Sequence, residues 1–167
     1  YRGDAWSLPP MSRVPNCPLG SSRLYVFGGQ SSKGDLSDLW VLDKAQALRG
    51  DAWSRVPPPA GAVAPPEWLS ATLTAVDHRL LMFGGRQGEA TFLNDTWLFN
   101  TRSNEWVRVE QQQLSAPDQN CAWPLPRWAH SAVRFGGAVL FFVGSAPGRC
   151  FNDLHWFDAT RLEWRSQ

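Results

Sequence analysis

Histidine, cysteine and the acidic residues are where chemistry would begin in this chain of 167 residues, and each group is sparse or poorly spaced for it. The three histidines are His78, His130 and His155. His78 falls in the turn Val76-Asp77-His78-Arg79, and the other two fall on expected strands, so no Ser/His/Asp order is interpretable as a hydrolytic triad. His130 reads as a structural hydrogen-bond partner at the start of a strand. Cys17, Cys121 and Cys150 have no Cys-x-x-Cys spacing and no histidine of a zinc pattern. An odd count leaves at least one unpaired, and three free thiols in a reducing, cytoplasmic setting are expected. Arg2-Gly3-Asp4 returns as Arg49-Gly50-Asp51, the spelling of an adhesion motif. Both copies sit inside Arg-Gly-Asp-Ala-Trp-Ser, and a repeated hairpin explains them: Gly-Asp turns the chain and Ala-Trp-Ser opens a strand.

Composition narrows the class further. Sixteen Lys+Arg against fifteen Asp+Glu give a net charge of +1, which excludes a polybasic nucleic-acid stripe or an acidic tail. At 43% hydrophobic residues the chain carries enough for a packed core. No apolar run approaches the roughly 18 residues of a membrane helix. The start, Tyr1-Arg2-Gly3-Asp4, has no signal-peptide pattern and no Met, and reads as a fragment, a processed product or an excised domain. Ten Trp beside 14 Gly and 13 Pro point to many short, aromatic-packed strands.

An internal repeat organises those strands. Leu24-Tyr25-Val26-Phe27-Gly28-Gly29 matches Leu80-Leu81-Met82-Phe83-Gly84-Gly85, with a weaker third copy in Leu140-Phe141-Phe142-Val143-Gly144-Ser145. The repeat aligns Gly28, Gly84 and Gly144 and places Ser145 where the second glycine would stand. A second run follows each pair: Asp38-Leu39-Trp40, Asp95-Thr96-Trp97 and Asp153-Leu154-His155. A third element closes each unit on Trp53, Trp106 or Trp164, and Ala5-Trp6-Ser7 is an earlier closing element. Each run is short, apolar and β-branched or aromatic, and Gly stops it. Continuous apolarity rather than alternation implies sheets buried on both faces. The glycine pairs allow φ > 0 or close backbone approach. Only residues 43–48 carry helical propensity. The closing tryptophans are expected in equivalent, largely buried positions, with Trp164 the exception because no unit follows it.

This set of residues resembles the kelch repeat: a double Gly after an apolar strand, an aromatic strand, then a closing Trp, in units near 50 residues. The resemblance covers roughly residues 5–165, as units 11–56, 67–109 and 126–165, with 5–8 as the last strand of a preceding unit. The second unit matches best. The third opens with Arg127-Trp128-Ala129-His130-Ser131, the family's Arg-x-x-His-Ser start, on a strand placed at 126–133. In the first, 11–19 carries Pro15 and Pro18, which argues against a central strand there. The resemblance implies an all-β fold, a segment of a β-propeller with about three four-stranded blades plus one strand. Three units fall short of a ring, so further blades are expected in a longer chain or by association. Copper oxidases of this kind, resembling galactose oxidase, need tyrosines and a histidine pair, and this chain has only Tyr1 and Tyr25. The Glu-x-x-x-Asp-x-x-x-His iron pattern of nitrile-specifier-like propellers and sialidase-type Asp boxes are also missing. No catalytic residue, metal or cofactor is therefore expected. The alternative is a fragment of a propeller enzyme, an oxidase or a sugar-modifying one, with its catalytic residues in missing blades.

Function is expected in the loops. In a four-stranded meander the loop entering a blade and the loop between its second and third strands leave the same face. The loops 57–66, 110–126, 30–36, 86–92 and 146–151 all fall there, and they carry Arg86, Glu89, Phe92, Trp123 and Arg149. Arg and Trp dominate binding hot spots. The expected partner is a protein or peptide rather than nucleic acid or membrane. Cys121 and Cys150 lie on loops of this one face. A bridge between them needs Cα atoms about 4.4–6.8 Å apart and would mark a secreted setting.

Overall fold

The computed structural model of the chain describes residues 23–32, 34–43, 53–110 and 123–166. The expected strand at 5–8, residues 11–19, the helical propensity at 44–48, both Arg-Gly-Asp copies, Cys17 and Cys121 lie outside the described residues. All the regular structure that is described is antiparallel sheet, with no helix.

Three sheets follow one another along the chain. The first is β1 (Arg23–Ser31), β2 (Gly34–Asp43) and β3 (Trp53–Val56), in that order. The second is β4 (Thr72–Val76), β5 (Arg79–Phe83), β8 (Thr96–Asn100) and β9 (Glu105–Val109). Between β5 and β8 a small hairpin, β6 (Arg86–Gln87) with β7 (Thr91–Phe92), projects from the sheet. The third repeats the second: β10 (Ser131–Phe135), β11 (Ala138–Phe142), β14 (Leu154–Asp158) and β15 (Glu163–Ser166), with the hairpin β12 (Ser145–Ala146) and β13 (Arg149–Cys150). Each is a meander of neighbouring strands, the arrangement the repeat predicts.

The strands of the second and third units begin later than the sequence pattern places them, at Thr72 rather than 67 and at Ser131 rather than 126. Ser70 and Ala129 have φ of 56° and 54°, which breaks an extended run. Upstream of the break, Leu69 and Trp128 pair instead with the projecting hairpins, at Arg86 and Ser145. Equivalent turns use equivalent residues. Asn100 Oδ1 accepts from the amides of Arg102 and Ser103, and Asp158 Oδ1 accepts from those of Thr160 and Arg161. Those bonds, the Arg161 amide first, hold the Asp158 carboxyl below its ordinary range.

The structure corrects the third glycine pair. Gly29, Gly85 and Gly144 share one backbone conformation, with φ of 112°, 97° and 110°. The preceding position is Gly28, Gly84 and Val143, with φ of 64°, 61° and 57°. Gly144 is thus the second residue of its pair, Val143 holds the first place, and Ser145 begins the projecting hairpin. The two positions do different work. A β-carbon on Gly85 would meet the Leu69 carbonyl of its own unit at 2.7 Å. On Gly28 or Gly84 it would meet the Trp68 or Arg127 carbonyl of the next unit at 2.7 Å.

Two cores lie between the sheets. Tyr25, Phe27, Leu39 and Val56 of the first sheet face Leu80, Met82, Trp97, Phe99 and Trp106 of the second. Val76, Leu81, Phe83, Leu98 and Val109 on the second sheet's other face meet Val139, Phe141, Phe157 and Trp164 of the third. Period-two alternation sends neighbouring residues to opposite sheets, so both faces of the second sheet are apolar. Trp106 packs edge-on against Phe27, with ring centroids 5.3 Å apart. Trp164 packs at 4.6 Å against Phe83 and donates its indole N–H to Thr96 Oγ1 at 3.0 Å. The closing tryptophans therefore look back toward the preceding sheet. That overturns the expectation of a bare Trp164, which is only 4% exposed. The tryptophan with no described sheet behind it is Trp53, and it is half-buried.

A candidate interaction face built by projecting hairpins

One end of the sheet stack is made of the β1–β2 tip, the β6–β7 and β12–β13 hairpins and the segments that enter the second and third sheets. Backbone bonds join them across units. The Gly29 amide donates to Trp68 O, Trp68 N to Leu36 O, Gly85 N to Arg127 O and Arg127 N to Leu93 O. Gly88 N donates to Asp35 Oδ2 at 3.2 Å and ties the second hairpin to the first. The surface is thus carried on a cross-linked backbone, which limits the ordering entropy that binding costs.

Arg86 and Phe92 pair across β6–β7, and Glu89 sits exposed at that hairpin's tip. The Arg86 guanidinium donates to Gly88 O at 2.7 Å and lies over the Trp128 ring, 5.7 Å from its centroid. That stack links the second unit's hairpin to the segment entering the third. Arg149 is exposed on β13 and stacks over Phe151 at 4.8 Å. Trp123 is half-buried, donates its indole N–H to Asn94 O at 2.8 Å and packs 6.0 Å from Trp164. Its contacts bind the entering segment to the residues before β8 and to the closing tryptophan of the third sheet. Cys150 is an exposed free thiol, with its sulfur 3.8 Å from Ser145 Oγ.

Beneath this face lies a charged cluster that the spacing of the repeat did not reveal. Arg127 is fully buried and makes a two-pronged pair with Asp153, at 2.5 and 2.8 Å. It also donates to the Leu125 and Val143 carbonyls and lies 4.1 Å over the Phe151 ring, which Arg149 also contacts. His155 Nε2 is 2.9 Å from Asp153 Oδ2. The Arg127 hydrogen bonds, against some burial and with help from His155, hold the Asp153 carboxyl down at about 2. The signal was present as the Arg of Arg-x-x-His-Ser and the Asp two residues before an aromatic position. Only the folded chain, which lays the segment entering the third sheet beside the residue before β14, shows that they meet.

His130 is buried, and its Nε2 lies 2.8 Å from Thr72 Oγ1 of the second sheet, the structural role its position suggested. Among the described residues no group of three His, Cys, Asp or Glu is placed to hold a metal ion, and no helix is long and apolar enough to cross a membrane.

Comparison with known proteins agrees with this geometry. Residues 16–167 match the family model described as the KLHDC2/KLHL20/DRC7 Kelch-repeats domain. An F-box/kelch-repeat protein of Arabidopsis thaliana is 27% identical over 154 residues, covering 89% of this chain and 31% of that protein. The leucine-zipper-like transcriptional regulator 1 of Homo sapiens is 24% identical over 160 residues, covering 94% of this chain and 18% of that protein. The chain thus spans a third or less of these curated relatives.

Proposed function

The chain belongs to the kelch-repeat family, and from that premise we propose that it is a non-catalytic interaction module that binds a protein or peptide through its hairpin face. Kelch-repeat domains generally serve as protein-interaction modules. The observation that carries the reading is the pair of arginines held over aromatic rings, Arg86 on Trp128 and Arg149 on Phe151. Stacking fixes a guanidinium, and on the exposed Arg149 it leaves the N–H edge facing solvent, the state of an arginine that anchors an interface. Glu89 and Phe92 on the same hairpin add an acceptor and apolar area. Names such as F-box/kelch-repeat protein and transcriptional regulator among the relatives favour an adaptor role over an enzyme. With a net charge of +1, a protein or peptide surface suits this face better than nucleic acid or membrane.

The test is selection of peptides from a displayed random library against the whole chain, followed by hydrogen exchange of the complex. Bound peptide is expected to protect amides of 86–92 and 145–151. Protection confined to the opposite turns, 77–78 and 101–104, would overturn the reading.

A further inference from the structure

On the premise that the hairpin face binds the partner, we propose that Phe151 is the positioning residue for Arg149. Its ring is shared by that exposed guanidinium and the buried Arg127. Partner affinity then depends on the aromatic character of Phe151 as well as on its volume.

The second and third units differ at three linked places. Phe151 N donates to Gly144 O at 2.9 Å and Leu93 N to Gly85 O at 3.0 Å, so Phe151 and Leu93 hold one position at the base of the projecting hairpins. Leu69 and Trp128 make matching bridges to those hairpins, so Trp68 and Arg127, one residue before each, are equivalent. On the hairpins themselves, Arg149 stands where Thr91 does. Where the second unit has Trp68, Leu93 and Thr91, the third therefore has Arg127, Phe151 and Arg149.

An apolar plug asks its neighbour only for apolar volume, and Leu93 supplies it to the core that holds Trp68. A buried guanidinium asks for more. The N–H edge of Arg127 is already taken: Nε by Leu125 O, Nη1 by Val143 O and Asp153 Oδ1, and Nη2 by Asp153 Oδ2. Its flat face remains, and an aromatic ring meets that face favourably where a leucine does not. Phe151 does so at 4.1 Å and is only 7% exposed. The ring is thus held by a hairpin-base hydrogen bond and by a buried ion pair, and the same ring carries Arg149 at 4.8 Å. Among the described residues no carboxylate pairs with Arg149, so its restraint falls to the ring. A side chain ordered before binding loses less entropy on binding.

Calorimetric titration of the whole chain with a peptide selected from a displayed random library tests this. Arg149→Ala should weaken binding about tenfold. Phe151→Leu, which installs the residue of the second unit, should weaken it about fivefold by removing the stack. Phe151→Tyr keeps the aromatic face and should bind like wild type. In an Arg149→Ala background Phe151→Leu should weaken the peptide no further, while urea denaturation shows a similar loss of stability in both backgrounds. A merely structural Phe151 would lower affinity equally with and without Arg149. In the free chain, Phe151→Leu should remove the ring-current shift from the Arg149 side-chain proton resonances. Phe151→Met replaces Phe151→Leu if that variant does not fold. A Phe151→Leu variant that binds like wild type, or one that loses equal affinity in both backgrounds, would overturn the proposal alone. Arg149→Ala binding like wild type would also overturn it. If Arg86→Ala/Arg149→Ala then bound like wild type too, binding through the hairpin face would fall with it.

Discussion

The second and third sheets share strand order and nearly the same register, but differ in what covers them and where they keep their charges. The second is apolar on both faces, and its Asp95 pairs near the surface with Arg108. Among the described residues the third is covered on one face, and its Asp153 pairs with a buried Arg127. The position of Arg127 is held by Trp68 in the second unit. With no arginine there, Asp95 pairs instead with the half-exposed Arg108, and the Trp97 indole N–H is left without a partner. In the first sheet, which keeps Trp40 at this place, the indole N–H donates to Asp38 at 2.6 Å. The blade framework thus tolerates an apolar plug or an ion pair at one position, provided the aspartate finds another donor.

The largest expected effect sharpens the packing side of this comparison. Phe83→Ala should cost about 3–5 kcal/mol, because Phe83 is fully enclosed between two sheets. Phe142→Ala, at the equivalent place on the face that no described sheet covers, should cost under about 1 kcal/mol in this chain. Urea denaturation of both variants measures the difference, and equal losses would break the contrast between the enclosed and the exposed phenylalanine.

The charged side comes next. Asp153→Asn leaves the buried Arg127 without its counter-charge and, with solvent screening a carboxylate that is 37% exposed, should cost about 2 kcal/mol. Asp95→Asn removes an exposed pair and should cost under about 1 kcal/mol. Acid unfolding separates the pair from simple packing. The Asp153 carboxyl is held at about 2, below the ordinary 3.8, so the unfolded chain binds more protons as pH falls. Its contribution is fully present above about pH 4 and is lost as the pH falls through about 2. Between those limits the stability of Asp153→Asn should fall less steeply with acid than that of wild type.

The smallest effect lies in the matching turns before β9 and β15. Asn104 and Leu162 both have positive φ, 58° and 60°, a conformation that Asn adopts at lower cost than Leu. Leu162→Asn should raise stability by about 1 kcal/mol, read as a higher thermal midpoint.

Much of this was legible in the chain. Doubled glycines after apolar runs and the spaced tryptophans gave the meanders, because backbone freedom and aromatic volume are demanded by the unit itself. The third glycine pair was misaligned because Val143 adopts the positive φ that a sequence reader assigns to glycine. The direction in which Trp164 packs was missed because a repeat fixes where a residue recurs without saying which neighbour it faces. Arg127 and Asp153 stand 26 residues apart, and only the tertiary fold brings them together. The hairpin face followed from meander topology, but the rings beneath Arg86 and Arg149 depend on tertiary contacts.

The central claim is that the hairpin face binds the partner, and a face-swap affinity measurement tests it most directly. A selected peptide is titrated against Arg86→Ala/Arg149→Ala and against Arg102→Ala/Arg161→Ala, whose arginines lie in turns at the opposite end of the sheets. The first variant should bind at least about tenfold more weakly, as expected for removal of anchoring arginines, and the second should match wild type. Loss confined to the second variant, with the first unchanged, would contradict the account.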